Sequence, residues 1–173
     1  MQMSARPILL FGDKRLRARA TSINMSEDAW RLDAIDLRDT LDEARSRHGF
    51  GRALAAPQIG SPFRLIAFDC ALGRIVAVNP EIIWSSPDKR TVWDDCFSLP
   101  GTCMGVKRHS SISFRCHDLE GREHVYERLD FSLSELVQHE MDHLDGILMM
   151  DRLIAPTAII AREMAENVIV TGL

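Results

Sequence analysis

The spacing of apolar residues changes along the chain, and the changes divide it into helical and extended stretches. After an extended opening, SEDAWRLDAIDLRDTLDEARSRHG carries Leu32, Ile35 and Leu41 at helical intervals among charges, which predicts a helix over about residues 27–48 with one buried face. Ser26 stands where an N-cap would, Glu27 and Asp28 fall in the first turn, and Gly49 follows as a stop. The middle of the chain is strand-like. FRLIAFD (63–69), RIVAVNPEII (74–83), SISFRCHD (111–118) and REHVYERLD (122–130) are short β-branched or alternating runs between turn signals. Ile112, Phe114 and Cys116 share one face of their run, and Asp118-Leu119-Glu120-Gly121 predicts a hairpin turn into the next. Helical spacing returns in FSLSELVQHEMDHLDG over 132–145, with Gly146 as its end. PTAIIAREMAENVIV then predicts a last amphipathic helix with Pro156 near its first turn.

This order has no βαβ alternation and predicts an α+β fold with a mainly antiparallel sheet. At 173 residues and 46% hydrophobic content the chain suits one domain, 1–173, with a substantial core. A net charge of −4 argues against a nucleic-acid partner, which needs clustered Lys and Arg. No apolar run approaches the ~18–20 residues of a membrane span, and the start of the chain lacks the roughly 7–15 apolar residues of a signal peptide. The expectation is a cytoplasmic protein with no membrane partner. Cys70, Cys96, Cys103 and Cys116 are widely spaced and form no C-x-x-C, so free thiols are expected rather than a disulfide framework or zinc knuckle, with Cys116 in the core.

Candidate chemistry centres on QHEMDHLDGILM. On a helix His139 and His143 lie one turn apart on one face and can aim imidazole nitrogens at one ion. Glu140, about 100° further round, can reach a water on that ion without ligating it. Two histidines alone hold a metal poorly, so the third ligand decides the class. The pattern H-E-x-x-H-x-x-G-x-x-H is followed as far as Gly146 and then fails, because Met149 replaces the last histidine and a thioether is a poor substitute. Glu163, on the last predicted helix, stands where some larger zinc peptidases carry a glutamate ligand. Cys96, between acidic residues and a Ser-Leu-Pro-Gly turn, would complete a tetrahedral set with one position left for water.

GRALAAPQIG (51–60), DDCFS (94–98) and QHEMDH (138–143) occur in the order and approximate spacing of the three motifs of peptide deformylases, G-h-G-h-A-A-x-Q, E-G-C-h-S and H-E-h-D-H, with h hydrophobic. ILLFGDKRLR and HLDGILMMDRL are also similar to that family, so the resemblance covers nearly the whole chain. It implies the deformylase α+β fold and one divalent metal ion on Cys96, His139 and His143, commonly Fe2+ and replaceable by Ni2+ or Zn2+. It implies hydrolysis of the formyl group of N-formylmethionyl nascent peptides at the ribosome, with release of formate. Glu140 would shuttle the proton, and the Gln58 amide and the Phe97 backbone N–H would hold the oxyanion.

The chain departs from the family near the expected substrate cleft. In the first motif Gly51 is kept, but Ala53 replaces the second glycine and Arg52 a hydrophobic residue. In the second, Asp94 replaces a glutamate and Asp95 a glycine; Glu135 replaces a hydrophobic pocket residue four before His139. Gly51, Arg52, Ala53, Asp95 and Glu135 are therefore the expected substrate-binding positions. Arg52 and Glu135 are expected to pair across the cleft, since one buried charge without the other would be costly. Alternatively Glu135 closes a capping box with Ser132, and Arg52 is a solvent-facing loop charge. A charged pocket would suit a different N-formyl or N-acyl substrate. A silent peptide-binding paralogue is the third reading, opposed by the intact Gln58, Cys96, His139, Glu140 and His143.

Overall fold

The computed structural model describes residues 5–165. Its elements run α1 (Arg31–His48), β1 (Ala53–Ala55), β2 (Leu65–Cys70), β3 (Gly73–Ser85), β4 (Lys89–Cys96), β5 (Leu99–His109), β6 (Ile112–His117), β7 (Glu123–Tyr126), α2 (Phe131–Leu144) and β8 (Ile159–Ala161). They form a five-stranded sheet of order β1-β2-β3-β6-β7 and a three-stranded sheet of order β4-β5-β8. Every strand pair in the two sheets is antiparallel, as the order of elements predicts.

Alternation along β2 explains how the larger sheet buries both faces. Ile66 and Phe68 point to one side, where they meet Ile112, Phe114 and Cys116 from β6 and Leu136, Val137, Met141 and Leu144 from α2. Leu65 and Ala67 point to the other side and pack with Leu37 and Leu41 of α1. The two helices thus cover opposite faces of one sheet. A third cluster, Met104, Val106 and Met149, lies beneath the smaller sheet. Among the described residues no helix is long and apolar enough to cross a membrane.

Several local expectations are corrected. The first helix begins at Arg31, not near residue 27, because Ser26 is held in a turn by the Asn24 side chain and Glu27 N–H bonds to the Asn24 carbonyl. Its buried face is Ala34, Leu37, Leu41 and Ala44, and Leu32 is 70% exposed. Gly49 does end it, with its N–H on the Arg45 carbonyl. Asp130, not Ser132, caps α2 by accepting the Leu133 N–H at 2.9 Å, so the Ser132–Glu135 capping box does not form. The segment from Pro156 forms the edge strand β8 and a 3-10 turn at Arg162–Met164 in place of a helix, because Ile159–Ala161 pairs with Thr102–Met104 of β5. The rest of that expected helix, from residue 166, lies outside the described residues. Strands β1, β4, β5 and β8 are additional to those read from the sequence.

Candidate active site

Two elements bring the metal-ligating side chains together. In α2 every residue from Ser134 to Leu144 is buried, so the i, i+4 histidines face the protein interior, their rings 4.9 Å apart and edge-on. Cys96 is the last residue of β4, and Phe97 and Ser98 form the two-residue turn that leads into β5. The pairing slips between Asp95 and Cys96, an irregularity of the kind that re-aims a side chain. Cys96 Sγ consequently lies 3.2 Å from His143 Nε2, and one donor atom each from Cys96, His139 and His143 falls within 4.8 Å of the others. Among the described residues this is the one cluster of its kind. Met149 is buried with Met104 and Val106, and Glu163 is exposed and outside the cluster.

The donors suit a divalent transition metal. One sulfur and two imidazole nitrogens make three corners of a tetrahedron. His139 Nδ1 is 2.9 Å from Asp94 Oδ2, which fixes the ring and leaves Nε2 for the ion. Burial pushes the His139 pKa down, but the Asp94 carboxylate and Cys96 outweigh it and hold it well above the usual value; the same charges favour a cation on that ring. Burial and the neighbouring His139 hold His143 well below its usual value, so its ring is neutral, as a ligand must be. Burial would raise the Asp94 carboxyl, yet His139 and Arg108 keep it below the ordinary carboxylate range.

Asp94, Cys96 and His139 open onto a cavity of about 770 Å³, also lined by Gly51, Arg52, Ala53, Gln58, Asp95, Phe97, Glu135 and Glu140. Glu140 is 4% exposed, and its Oε2 has no hydrogen-bond partner among the described residues. Burial raises its pKa to about 7. A buried carboxylate oxygen without a partner beside a metal-binding cluster is placed to take a proton from a bound molecule. Gln58 is oriented from behind: its Oε1 accepts the Ala55 N–H at 2.9 Å. Its Nε2 then points at Ser98 Oγ, 3.2 Å away, and Cys96 Sγ, 3.5 Å away.

Gly51 has φ +119°, and a Cβ there would sit 2.5 Å from the Phe97 ring, so the backbone turn and the close approach of that ring both require glycine. The Phe97 ring stacks on Phe50 at 5.2 Å.

The charged departures from the family motifs all acquire partners. Arg52 pairs with Glu135 and donates to the Ser132 carbonyl at 3.1 Å and hydroxyl at 2.9 Å, so the expected pair is present, with the Arg52 side chain still half-exposed on the loop before β1. Asp95 pairs with Arg162 at 3.0 Å, and Arg162 lies over the Phe50 ring, 3.2 Å from its centroid. Sequence reasoning missed Ser98, Arg108, Asp142 and Arg162. Arg108 is 3% exposed and joins Asp94, at 2.9 Å, to Asp142. No local signal marks it, because Arg108 stands between Lys107 and His109 and meets Asp94 only through the fold.

An antiparallel α+β scaffold with a Cys-His-His donor set on an H-E-x-x-H helix, and a partnerless carboxylate beside it, has the make-up of a single-metal hydrolase. Residues 5–158 match the polypeptide deformylase family. The peptide deformylase of Dictyoglomus thermophilum is 38% identical over 152 residues, covering 88% of this chain and 95% of that protein. A peptide deformylase-like protein of Brucella melitensis is 37% identical over 153 residues, covering 87% and 90%. The crystal structure of a peptide deformylase from Legionella pneumophila superposes with a TM-score of 0.78 at 32% identity, covering 97% of this chain and 95% of that one. The chain belongs to the polypeptide deformylase family, whose members are metal-dependent enzymes.

Proposed function

We propose that this cavity hydrolyses the formamide of N-formylated nascent peptides, releasing formate and a free N-terminus. One observation carries the reading: Cys96, His139, Glu140 with its partnerless Oε2 and the anchored Gln58 amide line a single cavity, and His143 completes the donor set behind Cys96. Cys96, His139 and His143 would hold one divalent ion, Fe2+ in the native protein, with Ni2+ and Zn2+ as replacements that the same sulfur and nitrogen donors accept. Bound there, the ion supplies Lewis acidity that makes water nucleophilic near neutral pH.

The remaining work falls to the chain. Glu140 accepts the proton of the attacking water as the new C–O bond forms, then hands it to the amine nitrogen as the carbonyl re-forms and the C–N bond breaks. A pKa near 7 suits a group that must both take and give a proton at neutral pH. The Gln58 Nε2 and the Phe97 N–H would donate to the oxygen of the tetrahedral intermediate. Phe97 stands next to Cys96 in the hairpin turn, which supports its N–H as a donor near the metal ligand. Action on nascent chains would place the protein in the cytoplasm, at the ribosome.

The test is formate release from N-formyl tripeptides by Fe2+- or Ni2+-loaded protein. Metal-dependent formate is expected, and Glu140→Gln should reduce it by about 10²–10⁴-fold while retaining metal. No formate from any peptide with folded, fully loaded protein overturns the reading.

A further inference from the structure

We infer that Arg52 and Glu135 set the specificity of this site, selecting substrates whose first side chain is short and polar, or absent, over the long apolar side chain of methionine. This rests on the formamide hydrolysis of the reading above and revises its substrate, since nascent chains begin with formyl-methionine.

Glu135 lies one helical turn before His139 and on the same face of α2, while Arg52 directly precedes β1; both line the cavity that holds Cys96, Gln58 and Glu140. Their ion pair therefore forms part of the wall of the cavity that also holds the reacting centre, and a side chain on the carbon adjoining a bound formamide nitrogen meets that wall. Two further bonds, from Arg52 Nη1 to the carbonyl and hydroxyl of Ser132, fasten the guanidinium to the start of α2. The Glu135 side chain is only 11% exposed, whereas that of Arg52 is 43% exposed.

An apolar side chain entering here must push Arg52 aside, and it offers Glu135 nothing in return. The desolvated carboxylate would be stranded without a partner. A hydrogen atom in place of a side chain leaves the pair intact. A hydroxymethyl group can hydrogen-bond to the edge of the guanidinium or the carboxylate. Ala53, which stands where the family motif has glycine, lines the same cavity and is 6% exposed.

The experiment compares kcat/KM for formate release by the metal-loaded full chain on formyl-Gly-Ala-Ser, formyl-Ser-Ala-Ser and formyl-Met-Ala-Ser, for wild type and for Arg52→Leu/Glu135→Leu. Wild type should favour the glycyl or seryl peptide over the methionyl one by about tenfold or more, a ratio within reach of a site with buried polar groups. The double variant, which replaces the pair by apolar groups, should shift the ratio toward methionine by a similar factor, chiefly through KM. Equal or better use of formyl-Met by wild type overturns the inference and leaves deformylation standing. An unchanged ratio in a folded double variant overturns it also. If that variant does not fold, the wild-type ratio decides. No formate from any of the three peptides overturns deformylation, and this inference with it.

Discussion

His139 Nδ1 lies 2.9 Å from Asp94 Oδ2, so a carboxylate near the end of β4 orients a histidine on α2 across the junction of the two sheets. A partner of this kind fixes the tautomer and raises the basicity of the other ring nitrogen, and its loss typically lowers metal affinity about 10–100-fold. Asp94→Asn should therefore retain the fold yet surrender its metal to a competing chelator at about that lower concentration. Metal content measured after graded chelator dialysis checks it; an unchanged competition curve refutes the orienting role.

Arg108 is buried between Asp94 and Asp142, and Asp142 is also held by Arg152 at 2.8 Å. Removing the central cation leaves Asp94 buried with less compensation. Arg108→Met should destabilise the protein by about 3–5 kcal/mol, read from urea unfolding. A loss below about 1 kcal/mol would show that the two aspartates are stabilised mainly by other groups.

Gly51 bears on activity as well as stability. An alanine at φ +119° is strained by roughly 1–2 kcal/mol, and its methyl would displace the Phe97 ring beside the metal cysteine. Gly51→Ala should lower the melting temperature by a few degrees and reduce kcat by more than that stability change would suggest. Retention of full kcat would mean that the hairpin turn tolerates a moved Phe97.

Cys116 gives a pH prediction. Burial pushes its thiol from about 9 up to about 11, followed by a smaller contribution from Asp118. The folded protein holds this proton more tightly than the unfolded chain, so the contribution is complete below pH 9 and is lost as pH rises through 11. Cys116→Ala removes this dependence and leaves only a constant packing penalty. The stability difference between wild type and variant should narrow by on the order of 2 kcal/mol between pH 8.5 and 11 in urea titrations. A constant difference would contradict it.

The elements legible in the sequence are those whose apolar spacing is regular. Ile112, Phe114 and Cys116 lie on one buried face as their alternation predicts, and Asp118–Gly121 turns the chain into β7. Helix α2 also follows its spacing, because nearly all its residues are buried against the sheet. Strands β4 and β5 were illegible for the opposite reason. Asp94, Asp95 and Cys96 interrupt the alternation to build the site, Arg108 occupies an inward position, and the Phe97–Ser98 turn has none of the glycine or asparagine that marks a tight hairpin. The cysteine, the two histidines and the glutamine could be picked out in advance because each belongs to a local motif. The charge pairs behind them could not, since Asp94 and Arg108 or Asp95 and Arg162 meet only through the fold. Arg52 and Glu135 were the exception, foreseen because two charges stood where apolar residues were expected.

Strand β8 has a role in solubility as well as in placing Arg162. It covers the edge of β5 at Thr102–Met104, and a chain lacking it would present those backbone amides and carbonyls to solvent beside buried apolar side chains. An uncovered strand edge of this kind recruits strands from other molecules. Shortening the protein before Ile159 would thus remove Arg162 and its tie to Asp95 and, with the same cut, create a surface for self-association.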